Sequence, residues 1–138
     1  MGKQVRDAMT SSVTSARPSQ SLSDAARVMK SDDVGSVPIV DGERLVGILT
    51  DRDIVVRAIA EGRDPQTVTV DEVLSREPVT VDPGQNLDEA LELMVRHKVR
   101  RLPVTENGRL VGMLAQADIA IEAKPKDVGK AVEEISQP

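Results

Sequence analysis

The sequence predicts an α/β protein made of two repeats, each a small sheet with helices on it, packed by pseudo-two-fold symmetry. Three observations lead there. Residues 44–54, RLVGILTDRDI, return at residues 109–119 as RLVGMLAQADI. A constant offset of 65 residues pairs Val5 with Val70, Pro18 with Pro83, Leu22 with Leu87, Met29 with Met94, Pro38 with Pro103, Gly47 with Gly112 and Asp53 with Asp118. Within each copy, helical spacing of apolar residues gives way to short aliphatic runs, the pattern of helices followed by strands. A duplicated unit of this size is expected to pack copy against copy, leaving paired clefts near the symmetry axis. The expected division is repeat 1 at 3–61, a linker at 62–67 containing Pro65, repeat 2 at 68–123 and a C-terminal helical tail at 124–138.

Each element has a local cause. Val5 to Met9 reads as a short helical turn, and Val13 to Ala16 as an extended segment before Pro18. Leu22, Ala25, Ala26 and Met29 recur at helical spacing, with Ser21 and Asp24 as a capping pair and Gly35 as the expected breaker. Val37 to Val40 and Leu45 to Leu49 are strand-like runs joined at Asp41-Gly42-Glu43, and a helix from about Arg52 to Glu61 closes the copy. In the second copy Thr69 with Glu72, and Asn86 with Glu89, mark two helix starts; Leu87, Ala90, Leu91 and Met94 share one face of the longer helix. Leu102 to Thr105 and Leu110 to Leu114 flank Asn107-Gly108, a strong two-residue hairpin signal. Beyond Pro125, Val128, Val132 and Ile135 fall on one helical stripe, which predicts a docking helix.

Composition narrows the function. Hydrophobic content of 39% with 30% charged residues is ordinary for a globular protein. No run of about eighteen apolar residues and no charged-then-apolar leader is present, so neither a membrane span nor a signal peptide is expected, and a cytoplasmic location follows by default. The absence of cysteine excludes disulfides, thiolate metal sites and thiol catalysis. Phe, Tyr and Trp are absent too, so the core must be Val, Leu, Ile, Ala and Met. Without aromatic rings there is no stacking platform for single-stranded nucleic acid, and a net charge of −5 opposes duplex binding. His97 is the single histidine and stands beside Arg96 and Lys98, a poor setting for a metal ligand or general base. No metal and no catalytic role are expected.

Chemistry concentrates at Gly47-Ile48-Leu49-Thr50-Asp51-Arg52-Asp53, where the last strand meets the last helix. Gly47 has no Cβ and admits close approach of another backbone or a ligand. Thr50 ends the strand where free N–H groups and the helix dipole favour an anion. Asp53, one turn in, can accept two hydrogen bonds from a vicinal diol such as a ribose. The same Thr50-x-x-Asp53 spacing is also a capping box, worth on the order of 1 kcal/mol with no ligand at all. Both readings stand and the two roles can coexist. In the second copy Ala115, Gln116 and Ala117 replace Thr, Asp and Arg, and only Asp118 survives, which the preference for carboxylates in a first helical turn already explains.

This motif, its duplicate, the preceding hairpin and the VPIV and LPVT strands resemble a CBS domain, and the pair resembles the tandem module of small stand-alone bacterial CBS proteins. The resemblance covers residues from about 3 to 123. It implies that Asp53 holds ribose hydroxyls, that Thr50 meets a ribose or phosphate oxygen, and that Arg52 adds a phosphate contact. It also implies a phosphate role for Arg100 and Arg101, which precede Leu102-Pro103 where the first copy has Gly35 and Ser36. A composite site would join the ribose motif of one copy to the cations of the other, with Asp118 in the degraded counterpart. Adenine would lie against Val13, Thr14, Val37 and Pro38, whose counterparts are Pro78, Thr80, Leu102 and Pro103. The implied function is a regulatory sensor of an adenosine-containing ligand such as AMP, ATP or S-adenosylmethionine, needing no cofactor and signalling in trans to an unidentified protein partner. A homodimer would bury Ile54, Val55, Ala58 and Ile59 with Ile119 and Ile121. The alternative is a ligand-free scaffold dimer in which the capping box is purely structural.

Overall fold

The computed structural model describes residues 2–122 and residue 135, with the side chains of residues 121 and 122 left aside. The expected tail helix therefore lies outside the described residues, apart from Ile135, which is buried. The chain forms two compact units that do not follow the sequence repeats. One is contiguous, Thr14–Pro78; the other is split, joining the segment that ends at Val13 to the chain from Val79 onward. The stretch 62–67, expected as a linker, lies inside the contiguous unit, where Ser23 N–H donates to the Pro65 carbonyl at 2.9 Å.

In the contiguous unit, helix α2 spans Leu22–Asp32, capped by the Ser21 hydroxyl accepting from the Asp24 N–H. (Helix α1, Val5–Ala8, belongs to the split unit.) Its Leu22, Ala25 and Met29 are buried, whereas Ala26, which the spacing placed on the same face, is exposed. The helix ends earlier than Gly35: Asp33 takes the left-handed conformation at φ 55°, a role aspartate tolerates because its short polar side chain satisfies the local backbone. Strands β1, Ser36–Asp41, and β2, Arg44–Thr50, pair antiparallel with a bulge between Ile39 and Val40. Helix α3, Asp51–Ile54, runs on into a π-helical turn at Val55–Ile59. A 3-10 turn at Val70–Glu72 then leads to β3, Ser75–Arg76, a short strand that pairs with β2 on the side opposite β1 and that the sequence did not announce. Leu22, Val37, Ile39 and Leu49 fill the core, each at 1% exposure or less, and each such side chain contributes about 1.5–3 kcal/mol.

The split unit repeats this plan. Helix α4, Leu87–His97, is capped by Asn86 and ends at Lys98, φ 54°, the counterpart of Asp33. Strands β4, Arg101–Glu106, and β5, Arg109–Ala115, pair antiparallel with a bulge between Val104 and Thr105, the position equivalent to Ile39/Val40. Their turn has positive φ at both Asn107 and Gly108, as the sequence demanded. Helix α5, Gln116–Glu122, follows. Residues from the start of the chain complete the unit: Val5 N–H donates to the Gln85 carbonyl at 2.8 Å, and Thr10 and Met113 exchange backbone hydrogen bonds at 2.9 Å.

The apolar face expected at a dimer interface is smaller than its spacing indicated. Ala58 and Ile119 are fully buried in their own units, and Ile54 packs partly into the core. Among the described residues what remains exposed is Val55, Val56 and Ile59, at 56%, 45% and 50%; the Ile121 side chain lies outside the description. Among the described residues no helix is long and apolar enough to cross a membrane.

Candidate functional site

Gly47 explains how the site is assembled. A methyl group there would collide with the carbonyl oxygen of Ser75 and with the Leu74 side chain. The glycine thus admits backbone, the first of its two expected visitors, and β3 lies across β2 beside the start of α3. In the split unit Gly112 does the same for Met9 and Thr10, whose Sδ and carbonyl would lie 2.8 Å and 2.9 Å from an added Cβ.

Thr50 ends β2 and caps α3. Its hydroxyl accepts from the Asp53 N–H at 3.0 Å, while Asp53 Oδ2 accepts from the Thr50 N–H at 3.0 Å. Both arms of the capping box are made, so the structural role read from the spacing is present. Asp53 is also the one buried charged residue among those described, at 8% exposure. Burial of an acid needs partners. Besides Thr50 it has two that the sequence reading missed. Ser75 Oγ lies 3.4 Å from each carboxylate oxygen, and Arg57 Nε lies 3.8 Å from Oδ1. Arg57 also donates through Nη1 to the Val73 carbonyl at 3.0 Å and, more weakly, to that of Leu74 at 3.4 Å. The spacing of Arg57 four residues after Asp53 was a usable signal for an ion pair. Nothing local pointed to Ser75, which comes 22 residues later.

The other expected site residues divide by unit. Arg52 is exposed at the start of α3, and Thr14 is exposed near the start of the contiguous unit. Val37 and Pro38 lie in β1 but are buried, with Val37 in the core at 1% exposure. Their counterparts Leu102 and Pro103 are likewise buried. Val13, Arg100, Arg101 and Asp118 belong to the split unit. Arg100 is exposed and Arg101 half-buried, and the Arg100 carbonyl accepts from the Gln116 N–H at 2.8 Å, as that of Gly35 does from the Asp51 N–H at 2.9 Å. Asp118 Oδ2 accepts from the Ala115 N–H at 2.9 Å, the same arm that Asp53 extends to Thr50. Its persistence therefore has a structural cause more specific than the helix dipole. The reciprocal arm is missing because Ala115 has no hydroxyl. The Gln116 side-chain nitrogen is shielded from water and has no hydrogen-bond partner among the described residues.

Comparison with known proteins places this architecture. The family profile described as "CBS domain" matches residues 5–59 and 70–124. The chain is 42% identical over 133 residues to the CBS domain-containing protein YhcV of Bacillus subtilis, covering 96% of this chain and 94% of that one. It is 40% identical over 134 residues to Hypoxic response protein 1 of Mycobacterium tuberculosis, with the same coverages. The crystal structure of that response protein, with two coordinated zinc ions, superposes with a TM-score of 0.81 at 41% identity, covering 88% of this chain and all of the other. The chain lacks cysteine, and among the described residues no group of three His, Asp or Glu side chains could hold a metal ion. The CBS domain pair of protein MJ0100, solved with 5′-methylthioadenosine and S-adenosyl-L-methionine, superposes with a TM-score of 0.76 at 26% identity over 88% of this chain and 95% of that one. With two matched domains spanning most of its length, and near-full-length relatives, the chain belongs to the CBS domain family.

Proposed function

We propose that this protein is a cytoplasmic regulatory sensor that binds an adenosine-containing ligand at Thr50 and Asp53 and passes occupancy in trans to a protein partner. The observation that carries this reading is the state of Asp53. It is a buried acid whose Oδ1 meets only long contacts among the described residues, at 3.4 Å and 3.8 Å, while Oδ2 is committed to the helix start. Such an oxygen suits a ribose hydroxyl. The ligands of the MJ0100 pair are adenosine derivatives, and this reading extends that class to the present chain. Thr50 supplies a hydroxyl at the same turn, and Arg52, Arg100 and Arg101 supply charge suited to phosphate. Asp118 is a weaker counterpart, since its turn lacks the threonine. No catalytic step and no required cofactor are part of this reading. The exposed Val55, Val56 and Ile59 support self-association as a homodimer.

Calorimetry and thermal shift with AMP, ATP, S-adenosylmethionine and adenosine test it. A ligand at a hundredfold excess over its Kd adds about 2.7 kcal/mol of stability. Asp53→Asn is expected to cost about 1.5–3 kcal/mol of binding, roughly ten- to over a hundredfold in affinity. Asp118→Asn is expected to cost less, and replacing both Arg100 and Arg101 to weaken AMP more than adenosine. Equal losses at Asp53 and Asp118 would overturn the asymmetry. A second reading, a scaffold that binds no ligand, draws on the closed capping box, in which Thr50 and Asp53 already satisfy each other. Absence of binding to all four compounds would leave that reading in place.

A further inference from the structure

We infer that Ser75 and Arg57 are part of the ligand site: they hold Asp53 in the ligand-free protein, and a ligand diol gains the carboxylate only by displacing the Ser75 hydroxyl. The inference rests on the reading of Asp53 as a diol acceptor. An ionised carboxylate offers about four acceptor positions. On Asp53, Oδ2 takes the Thr50 N–H at 3.0 Å and the Ser75 hydroxyl at 3.4 Å, and Oδ1 faces the same hydroxyl at 3.4 Å and Arg57 at 3.8 Å. A vicinal diol needs two of these positions. The Thr50 bond is short and starts a helix, so it stays. The Ser75 hydroxyl is shared between both oxygens at long distance, and it is the group that yields.

Arg57 acts differently, as a positioning residue. Its guanidinium faces Asp53 through Nε and reaches the Val73 and Leu74 carbonyls through Nη1. It ties the carboxylate to the segment that delivers Ser75. That segment runs straight to the boundary of the contiguous unit. Ser75 and Arg76 pair with Ile48 and Gly47, Glu77 follows at φ 56°, and Pro78 is the last residue of the unit. A left-handed glutamate before proline is a sparsely populated conformation, held by its surroundings. Displacing Ser75 removes one of those restraints, so occupancy of Asp53 is read at the point where the chain leaves the unit. Thr10 and Glu122 stand at the positions of Ser75 and Arg57, and a glutamate has no donor with which to bridge an acid to backbone carbonyls.

The test combines AMP calorimetry with amide hydrogen exchange on the full chain. Ser75→Ala is expected to bind AMP roughly two- to tenfold more tightly than the parent, the scale of one lost competing hydrogen bond. AMP is expected to speed exchange at residues 75–77 in the parent and to change it little in Ser75→Ala, where release has already occurred. Arg57→Gln is expected to weaken AMP binding and to loosen residues 73–76 without ligand, and Arg57→Lys to restore part of the affinity. Far-UV circular dichroism confirms that each variant is folded, and Ser75→Thr, which keeps the hydroxyl, is expected to match the parent if it folds where alanine does not. If the parent binds AMP and Ser75→Ala binds it no more tightly, the latch is refuted and Asp53 remains the acceptor. If the parent binds no adenosine compound, the reading of Asp53 falls and the latch falls with it.

Discussion

Replacing Gly47 by alanine puts a methyl group into space held by the Ser75 carbonyl oxygen and the tip of Leu74. Leu74 can rotate away. The carbonyl cannot, because β3 is paired to β2 on both sides of it, with Ser75 opposite Ile48 and Arg76 opposite Gly47. Relief requires the backbone of β3 to lift, which weakens the pairing and draws Ser75 away from Asp53. Forced overpacking of this kind costs about 1–3 kcal/mol. Alanine recovers part of that, about 0.5–1 kcal/mol, because glycine is the more costly residue to order in a strand. At mid-range values the net expectation is a loss of about 1 kcal/mol, which at a mid-range urea slope of about 2 kcal/mol/M moves the midpoint down by roughly 0.5 M. Gly35→Ala is the control. Its nearest obstacle is the Asp51 carboxylate at 3.1 Å, an exposed side chain whose hydrogen bond from the Arg52 N–H at 2.8 Å can be exchanged for water, so its midpoint should stay close to the parent's. Gly112→Ala should fall between them, since Met9 Sδ at 2.8 Å is flexible but the Thr10 carbonyl at 2.9 Å is not. A Gly47→Ala protein as stable as the parent would refute the claim that this glycine exists to admit β3.

Thr50→Ala removes one arm of the box and should cost about 0.5–2 kcal/mol in urea unfolding, while Ala115→Thr, where Asp118 already accepts the Ala115 N–H at 2.9 Å, should gain up to about 1 kcal/mol; a loss on Ala115→Thr would count against equivalent helix starts. The Thr69 N–H and hydroxyl, with the Arg63 guanidinium, hold the Glu72 carboxyl below the usual glutamate range. A depressed carboxylate contributes stability that is present above its unfolded pKa and is lost as the pH falls through the folded one. Glu72→Gln should therefore lower the urea midpoint at neutral pH and converge with the parent in acid, and parallel curves across that range would contradict the assignment. Ile59→Glu should shift a dimer towards monomer by light scattering, and an unchanged mass would move the interface away from Val55, Val56 and Ile59.

Much of the fold is local and was therefore legible. The Asn107-Gly108 turn needs positive φ twice, which few residue pairs tolerate, and Ser21, Asn86 and Thr50 each cap the helix that their spacing marked. Gly35 misled as a helix breaker because glycine advertises a left-handed turn, whereas aspartate and lysine occupy that conformation at Asp33 and Lys98. Strand β3 was invisible because two residues carry no period. Its presence was nonetheless implied by Gly47, whose missing side chain announces a visitor without naming it. Alternation says which residues of β1 face inward, as Val37 does, but the identity of what covers the sheet is a long-range fact. Thr50 and Asp53 could be found from spacing, and Ser75 could not, since its only link to the acid is through space.

The division into a contiguous and a split unit also bears on how the protein is made on the ribosome. The contiguous unit holds all its strands and helices within Thr14–Pro78, so it can close as soon as Pro78 has left the exit tunnel. The split unit cannot. Val5 must meet Gln85 and Thr10 must meet Met113, so the segment that holds them waits through the synthesis of the whole intervening unit. The entropy of closing so long a loop grows only logarithmically, and much of that loop is already folded when closure comes. Synthesis thus imposes a temporal order on two halves whose sequences are near copies: the half that carries Thr50 and Asp53 is complete first, and the tether that finishes the other half is made before either.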